Sequence, residues 1–153
     1  MNGSRQRSAV ACVSDFSLLR IYLDANVLFS AAYSDRNRFL DFWRMHAVIP
    51  ISSPYAIFEA RSHAHRPGHS ERLETLLAKT QLVSDVDVRF IPSDIVLVEK
   101  DRPILSAAIG AGVDYLVTGD KNDFGHLCAR SILGVKVILP TPFLNMTLDR
   151  LIL

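Results

Sequence analysis

Apolar positions in this chain switch repeatedly between two spacings, and the switches mark out its elements. Leu18 to Leu23 is a short apolar run that reads as a buried strand, followed by a short helix over Asn26 to Tyr33. From Arg36 to His46, residues Phe39, Leu40, Phe42 and Trp43 recur at helical spacing. Ala47 to Ile51 is a second strand. Ser53-Pro54 opens a helix, because serine caps and proline fits the first turn, and Pro67-Gly68 ends it. His69 to Lys79 is another helix, with Leu73, Leu76 and Leu77 inward. Val86, Val88 and Phe90 alternate within Val83 to Pro92, which reads as a third strand. Ser93 to Val98 fits either a short helix or a connector. Asp101-Arg102-Pro103 opens a helix over Ile104 to Ala111 that Gly112 closes. Asp114 to Thr118 is a fourth strand running into a polar turn, Gly119 to Gly125. A short helix is expected from Phe124 to Ser131, a fifth strand from Val135 to Leu139, and a last helix capped by Thr141-Pro142. Strands alternating with helices predict an α/β protein: one three-layer α/β/α domain with a central parallel sheet of four or five strands and right-handed crossovers.

Composition narrows this picture. With 153 residues, 49% of them hydrophobic and 22% charged, the chain can bury a real core and is not a disordered segment. A net charge of +1 neither announces nor excludes a nucleic-acid partner. Cys12 and Cys128 are far apart without metal-type spacing, which suits free thiols in a cytoplasmic protein. No apolar run approaches the ~20 residues of a membrane span. Residues 1–17 carry Arg5 and Arg7 before a short apolar piece that Asp15 interrupts, so we expect a flexible tail there and the folded domain over 18–153.

The candidate chemistry lies in acids at element boundaries. Asp24 and Asp120 both follow predicted strands, whose ends face the same way in a parallel sheet, where ligands gather. Asp101 lies at a helix start and Glu59 within a helix; either can face the same crevice. Singly, each has a plain structural role: helix cap, solvated acid or Asx turn. Together they are costly, since two charges ~5 Å apart repel by roughly 3 kcal/mol at an effective dielectric of 20. Oxygen-only ligands suit Mg²⁺ or Mn²⁺, ions that activate water and stabilise the leaving oxygen of a phosphoryl displacement. Neither zinc-type spacing nor a Walker-type phosphate loop occurs. Basic residues follow Glu59, and Lys100, Arg102 and Lys121 flank two of the acids. Arg61, Arg66, Arg102 and Lys121 are candidates for phosphate contact, the alternative being a solvated face.

Four blocks carry a family resemblance: Tyr22-Leu23-Asp24-Ala25-Asn26-Val27-Leu28, Phe58-Glu59-Ala60, Asp101 to Ala108, and Tyr115 to Phe124. Over Arg20 to about Phe143 the chain resembles a PIN domain, the nuclease domain of VapC-type toxins and of several RNA-processing factors. The resemblance implies a parallel sheet flanked by helices, an acidic metal centre, and cleavage of single-stranded RNA to a 5′-phosphate product. It implies Asp24, Glu59, Asp101 and Asp120 as catalytic, metal-binding acids, with Asn26, Thr118 and Asp123 in support. One departure stands out: many members carry an acid two residues after the last one, where this chain has Asn122 and then Asp123. A toxin of this kind implies a small antitoxin partner. Two rival readings remain: a phosphohydrolase of the haloacid dehalogenase type with Asp24 as nucleophile, and a non-catalytic RNA- or protein-binding scaffold with a vestigial site. The first usually wants an aspartate where Asn26 stands. The face bearing Phe39, Phe42 and Trp43 is more apolar than one layer requires, which predicts a homodimer.

Overall fold

The computed structural model describes residues 18–151, so the tail expected over 1–17 lies outside the described residues. Four strands form the middle of the sheet: β1 (Leu19–Leu23), β2 (Val48–Ser52), β4 (Tyr115–Val117) and β6 (Val135–Ile138). Two-residue strands β3 (Gln81–Leu82) and β5 (Ser131–Ile132) edge it, giving six strands in the order β3-β2-β1-β4-β6-β5 rather than four or five. Every pairing is parallel except β5 with β6. The expected α/β/α layering is present, and α1 (Ala25–Ala32), α2 (Asp41–Arg44), α3 (Pro54–His63), α4 (His69–Leu77), α5 (Arg102–Ala111), α6 (Lys121–Phe124) and α7 (Pro140–Leu151) connect and cover the strands.

Strand alternation divides the core in two. Ile21 and Leu23 face a layer built from α1, α2, α4 and α7, with Val27, Phe42, Leu73 and Phe143 fully buried there. Tyr22, between them, points the other way, to Ile104, Leu105 and Leu116 on the α5 side. Its hydroxyl is satisfied by Ser53, as a buried phenol requires. Adjacent side chains of a strand reach opposite faces, so one run of apolar residues serves both cores.

Three elements differ from the pattern reading. The alternation over Val83 to Pro92 does not make a strand; β3 ends at Leu82, and Val88–Phe90 is a 3₁₀ turn. The carbonyls of Val86 and Asp87 are taken by the Ser106 hydroxyl at 3.0 and 2.8 Å, and Asp87 accepts from the Arg89 N–H at 2.9 Å. Side chains thus satisfy groups that a ladder would need. Where a helix was expected over Phe124 to Ser131, α6 has already run from Lys121 and stops at Phe124; a 3₁₀ turn over Gly125–Leu127 follows, closed by extended Cys128, and Ala129 beyond it has φ 70°. Ser131-Ile132 then pairs back on β6 through Leu133 (φ 50°) and Gly134 (φ 90°), a two-residue turn with both positions left-handed, which matches strand twist. Finally, Arg36 to His46 is a 3₁₀ turn over Arg38–Leu40 followed by the short α2. Phe42 is fully buried and stacks on Phe143, and the Trp43 indole donates to Thr80 at 2.9 Å. Of the three residues behind the homodimer expectation, Phe42 is used within the protomer, whereas Phe39 and Trp43 stay half-buried.

Candidate active site

The order of strands creates the site. After β1 the chain moves outward to β2 and β3, then returns to lay β4 on the other side of β1. The ends of β1 and β4 consequently flank the point where the winding reverses, the place where open parallel sheets leave a crevice. Leu23 is in register with Val117, so Asp24 and Thr118 leave the sheet side by side. The Asp24 N–H still donates to Val117 O at 3.0 Å, which fixes its backbone.

Asp24 is 4% exposed and is both a helix cap and a wall of the crevice. Oδ1 accepts from the Ala25 N–H at 2.7 Å, and Oδ2 accepts from the Thr118 hydroxyl at 2.8 Å and, more weakly, from Asn26 Nδ2 at 3.5 Å. Burial pushes its carboxyl up to about 6 against the pull of those donors, with the charges of Glu59 and Asp120 adding to the rise. Thr118, fully buried, also accepts from the Asp120 N–H at 3.1 Å and so ties the two acids together. Asn26 Oδ1 accepts from the Gly119 N–H at 2.8 Å, and a Cβ at Gly119 would stand 3.2 Å from that oxygen. Asn26 is thereby a strand-end clamp with no proton to give a leaving group, which counts against the dehalogenase-type reading.

Asp101 reaches the site differently. It stands at the N-cap of α5 but makes no side-chain cap bond, so its carboxylate faces the crevice. Asp101, Asp120 and Asp123 each place an oxygen within 4.8 Å of the others, a grouping that could hold a metal ion. Asp120 caps α6 by accepting from the Asp123 N–H at 3.0 Å, and that short helix presents both acids together. Asp123 thus joins the two acids directly, although it is one position later than the family habit. Burial is the main cause raising the Asp101 carboxyl, whereas Asp123 is pulled down, first by hydrogen bonding to Asp101 and then to Lys100.

Asp24, Glu59, Asp101 and Asp120, from four separated segments, line one cavity of about 260 Å³, with Asn26, Phe29, His63 and Lys100. Glu59 is half-buried on α3 and stands outside the close acid trio. Lys100 is the residue that sequence reasoning underrated. Its Nζ lies 3.3 Å from both Asp101 oxygens, 3.0 Å from Asp123 Oδ2 and 3.9 Å from Asp120 Oδ2. Hydrogen bonding to Asp123 raises its pKa above the ordinary lysine value. Its only sequence signal was adjacency to Asp101.

The predicted phosphate contacts separate. Arg61 is held by Glu74 through two bonds of 2.7 and 2.8 Å, and Arg66 lies 4.7 Å over the Tyr33 ring. Arg102 begins α5, and Lys121 is exposed at the start of α6, lining a second cavity of about 350 Å³ that shares Asn26 with the first.

A PIN domain family model matches residues 20–122. Among solved structures the chain is similar to VapBC2 from Rickettsia felis bound to a DNA fragment from their promoter, with 12% identity, a TM-score of 0.56, and coverage of 79% of this chain and 98% of that one. At that identity the likeness shows the fold. Among curated proteins, none matches. The chain belongs to the PIN domain family, a family of nucleases.

Proposed function

We propose that this protein is a divalent-metal-dependent ribonuclease that cleaves single-stranded RNA, and that it serves as the toxin of a toxin–antitoxin pair. The observation that carries the reading is the convergence of separate acids at the reversal point of a parallel sheet, inside a family of nucleases. The donor set fits a hard cation: the candidate ligands are all carboxylate oxygens, and a lysine ammonium is already drawn among them. Asp101, Asp120 and Asp123 would hold Mg²⁺ or Mn²⁺, with Asp24 and Glu59 facing the same cavity. Bound there, the ion supplies an activated water and neutralises charge in an in-line displacement at phosphorus.

The chain's own groups supply orientation. Thr118 and the Ala25 N–H fix the Asp24 carboxylate, and Asn26 holds the Gly119 backbone at the cavity mouth. Because the two cavities adjoin at Asn26, an RNA strand can run across the crevice with Lys121 in reach of a flanking phosphate, and Arg102 as a further contact. Arg61 is less available, being neutralised by Glu74. The antitoxin is a small protein expected to cover this crevice, as VapBC2 names a pair in the neighbour structure.

The test is incubation of labelled single-stranded RNA with the protein and Mn²⁺ or Mg²⁺. Cuts ending in 5′-phosphate are expected, stopped by chelator and abolished by Asp120→Asn. Cutting that survives thorough chelation overturns the metal mechanism, and equal cutting of single-stranded DNA overturns the RNA assignment.

A further inference from the structure

The ammonium of Lys100 stands where a cation belongs. It touches the same carboxylates, on Asp101, Asp120 and Asp123, that lie close enough to share one ion. A divalent ion ligated by these groups approaches them to ~2.0–2.1 Å for Mg²⁺. An ammonium hydrogen-bonded to Asp101 and Asp123, and paired more loosely with Asp120, occupies the space and the lone pairs that such ligation needs. The two are therefore alternatives rather than companions.

The surroundings allow exchange. The Lys100 main chain is anchored, because Tyr55 donates its hydroxyl proton to Lys100 O at 2.8 Å. The side chain is 63% exposed, so the ammonium can swing to water without moving the backbone. Among the described residues, Lys100 is also the one lysine or arginine lining the acid cavity. We propose that Lys100 is a built-in competitor for the metal: it supplies the positive charge of the metal-free site and must be displaced for the ion to load. Resting on the metal-centre reading above, this makes Lys100 a device that sets how much free metal the enzyme requires. Removing it has two opposed effects. The metal-free carboxylates lose their counter-charge, which destabilises the resting protein, while an incoming ion no longer has a rival.

The experiment is a calorimetric titration with Mn²⁺ alone, together with thermal melts, on the parent, Lys100→Met and Lys100→Gln. Both variants are expected to bind Mn²⁺ about tenfold more tightly than the parent, a difference of about 1.4 kcal/mol. In chelator both melt below the parent, and at saturating Mn²⁺ the deficit closes. A lysine of purely structural importance would leave the deficit in place. Equal or weaker Mn²⁺ binding by both variants overturns the competitor role while leaving the metal centre standing. Absence of Mn²⁺ binding in parent and variants alike overturns both.

Discussion

Asp24→Asn tests the electrostatic cost of the site without any substrate. Asp24 is a buried carboxylate whose pKa is raised from 3.8 to about 6, chiefly by loss of water. An acid whose folded pKa lies above its unfolded one favours the fold fully below the unfolded value. That contribution disappears as pH rises through the folded pKa, here between about 4 and 6. A shift of ~2 units at 1.36 kcal/mol each makes ionised Asp24 a liability of roughly 3 kcal/mol at neutral pH. Asparagine keeps the shape and one acceptor for the Ala25 N–H. Its amide nitrogen then faces the Thr118 hydroxyl, which can turn to accept. Allowing ~1 kcal/mol for poorer hydrogen bonding leaves a net gain of ~2 kcal/mol at pH 7.5. For a protein of this size that is a rise in Tm of roughly 4–8 °C in chelator. At pH 4 the advantage should vanish or reverse. The assay is a set of melts from pH 4 to 8 with chelator, read as mutant minus parent so that other titrations cancel. A difference that stays flat with pH would mean that Asp24 ionises normally in the fold, and that burial does not govern it.

Thr118→Val keeps volume but removes the donor to Asp24 and the acceptor for the Asp120 N–H. Loss of such an orienting partner should weaken Mn²⁺ affinity or RNA cleavage about 10- to 100-fold, measured by titration and initial rates. Arg72→Ala probes the scaffold beneath the site: its guanidinium donates to Ala32 O and Tyr33 O, the last carbonyls of α1, at 2.8 and 2.7 Å. Two charge-assisted bonds at a helix C-terminus should be worth ~2 kcal/mol, a fall in Tm of about 4–8 °C; an unchanged melt refutes the capping role.

Much of the fold was legible along the chain, because local pattern reports local backbone. The apolar run through Leu23, the cap at Asp24, Pro54 in the first turn of α3 and Gly112 after α5 each act within a few residues of where they occur, whereas the Ser53 hydroxyl makes no cap bond and pairs with distant Tyr22 instead. The positions of Asp24, Asp101 and Asp120 were also legible, as acids at strand ends and a helix start in a parallel α/β order, while Glu59 enters the cavity from within α3. Contacts between distant segments were not. Nothing in Val83 to Pro92 announces that Ser106 will take its carbonyls, so its alternation read as a strand. Arg61 and Glu74 meet only because α3 and α4 pack together, a pairing that nothing in the sequence announces. Most clearly, sequence alone could not choose which acids sit closest. Asp123 joins Asp101 and Asp120 through the short α6, and Lys100 enters among them from the 3₁₀ turn before α5. Backbone propensity acts over a few residues, whereas a site's geometry is set by strand register and crossovers that bring segments ~100 residues apart within hydrogen-bonding distance, and only the folded chain decides those.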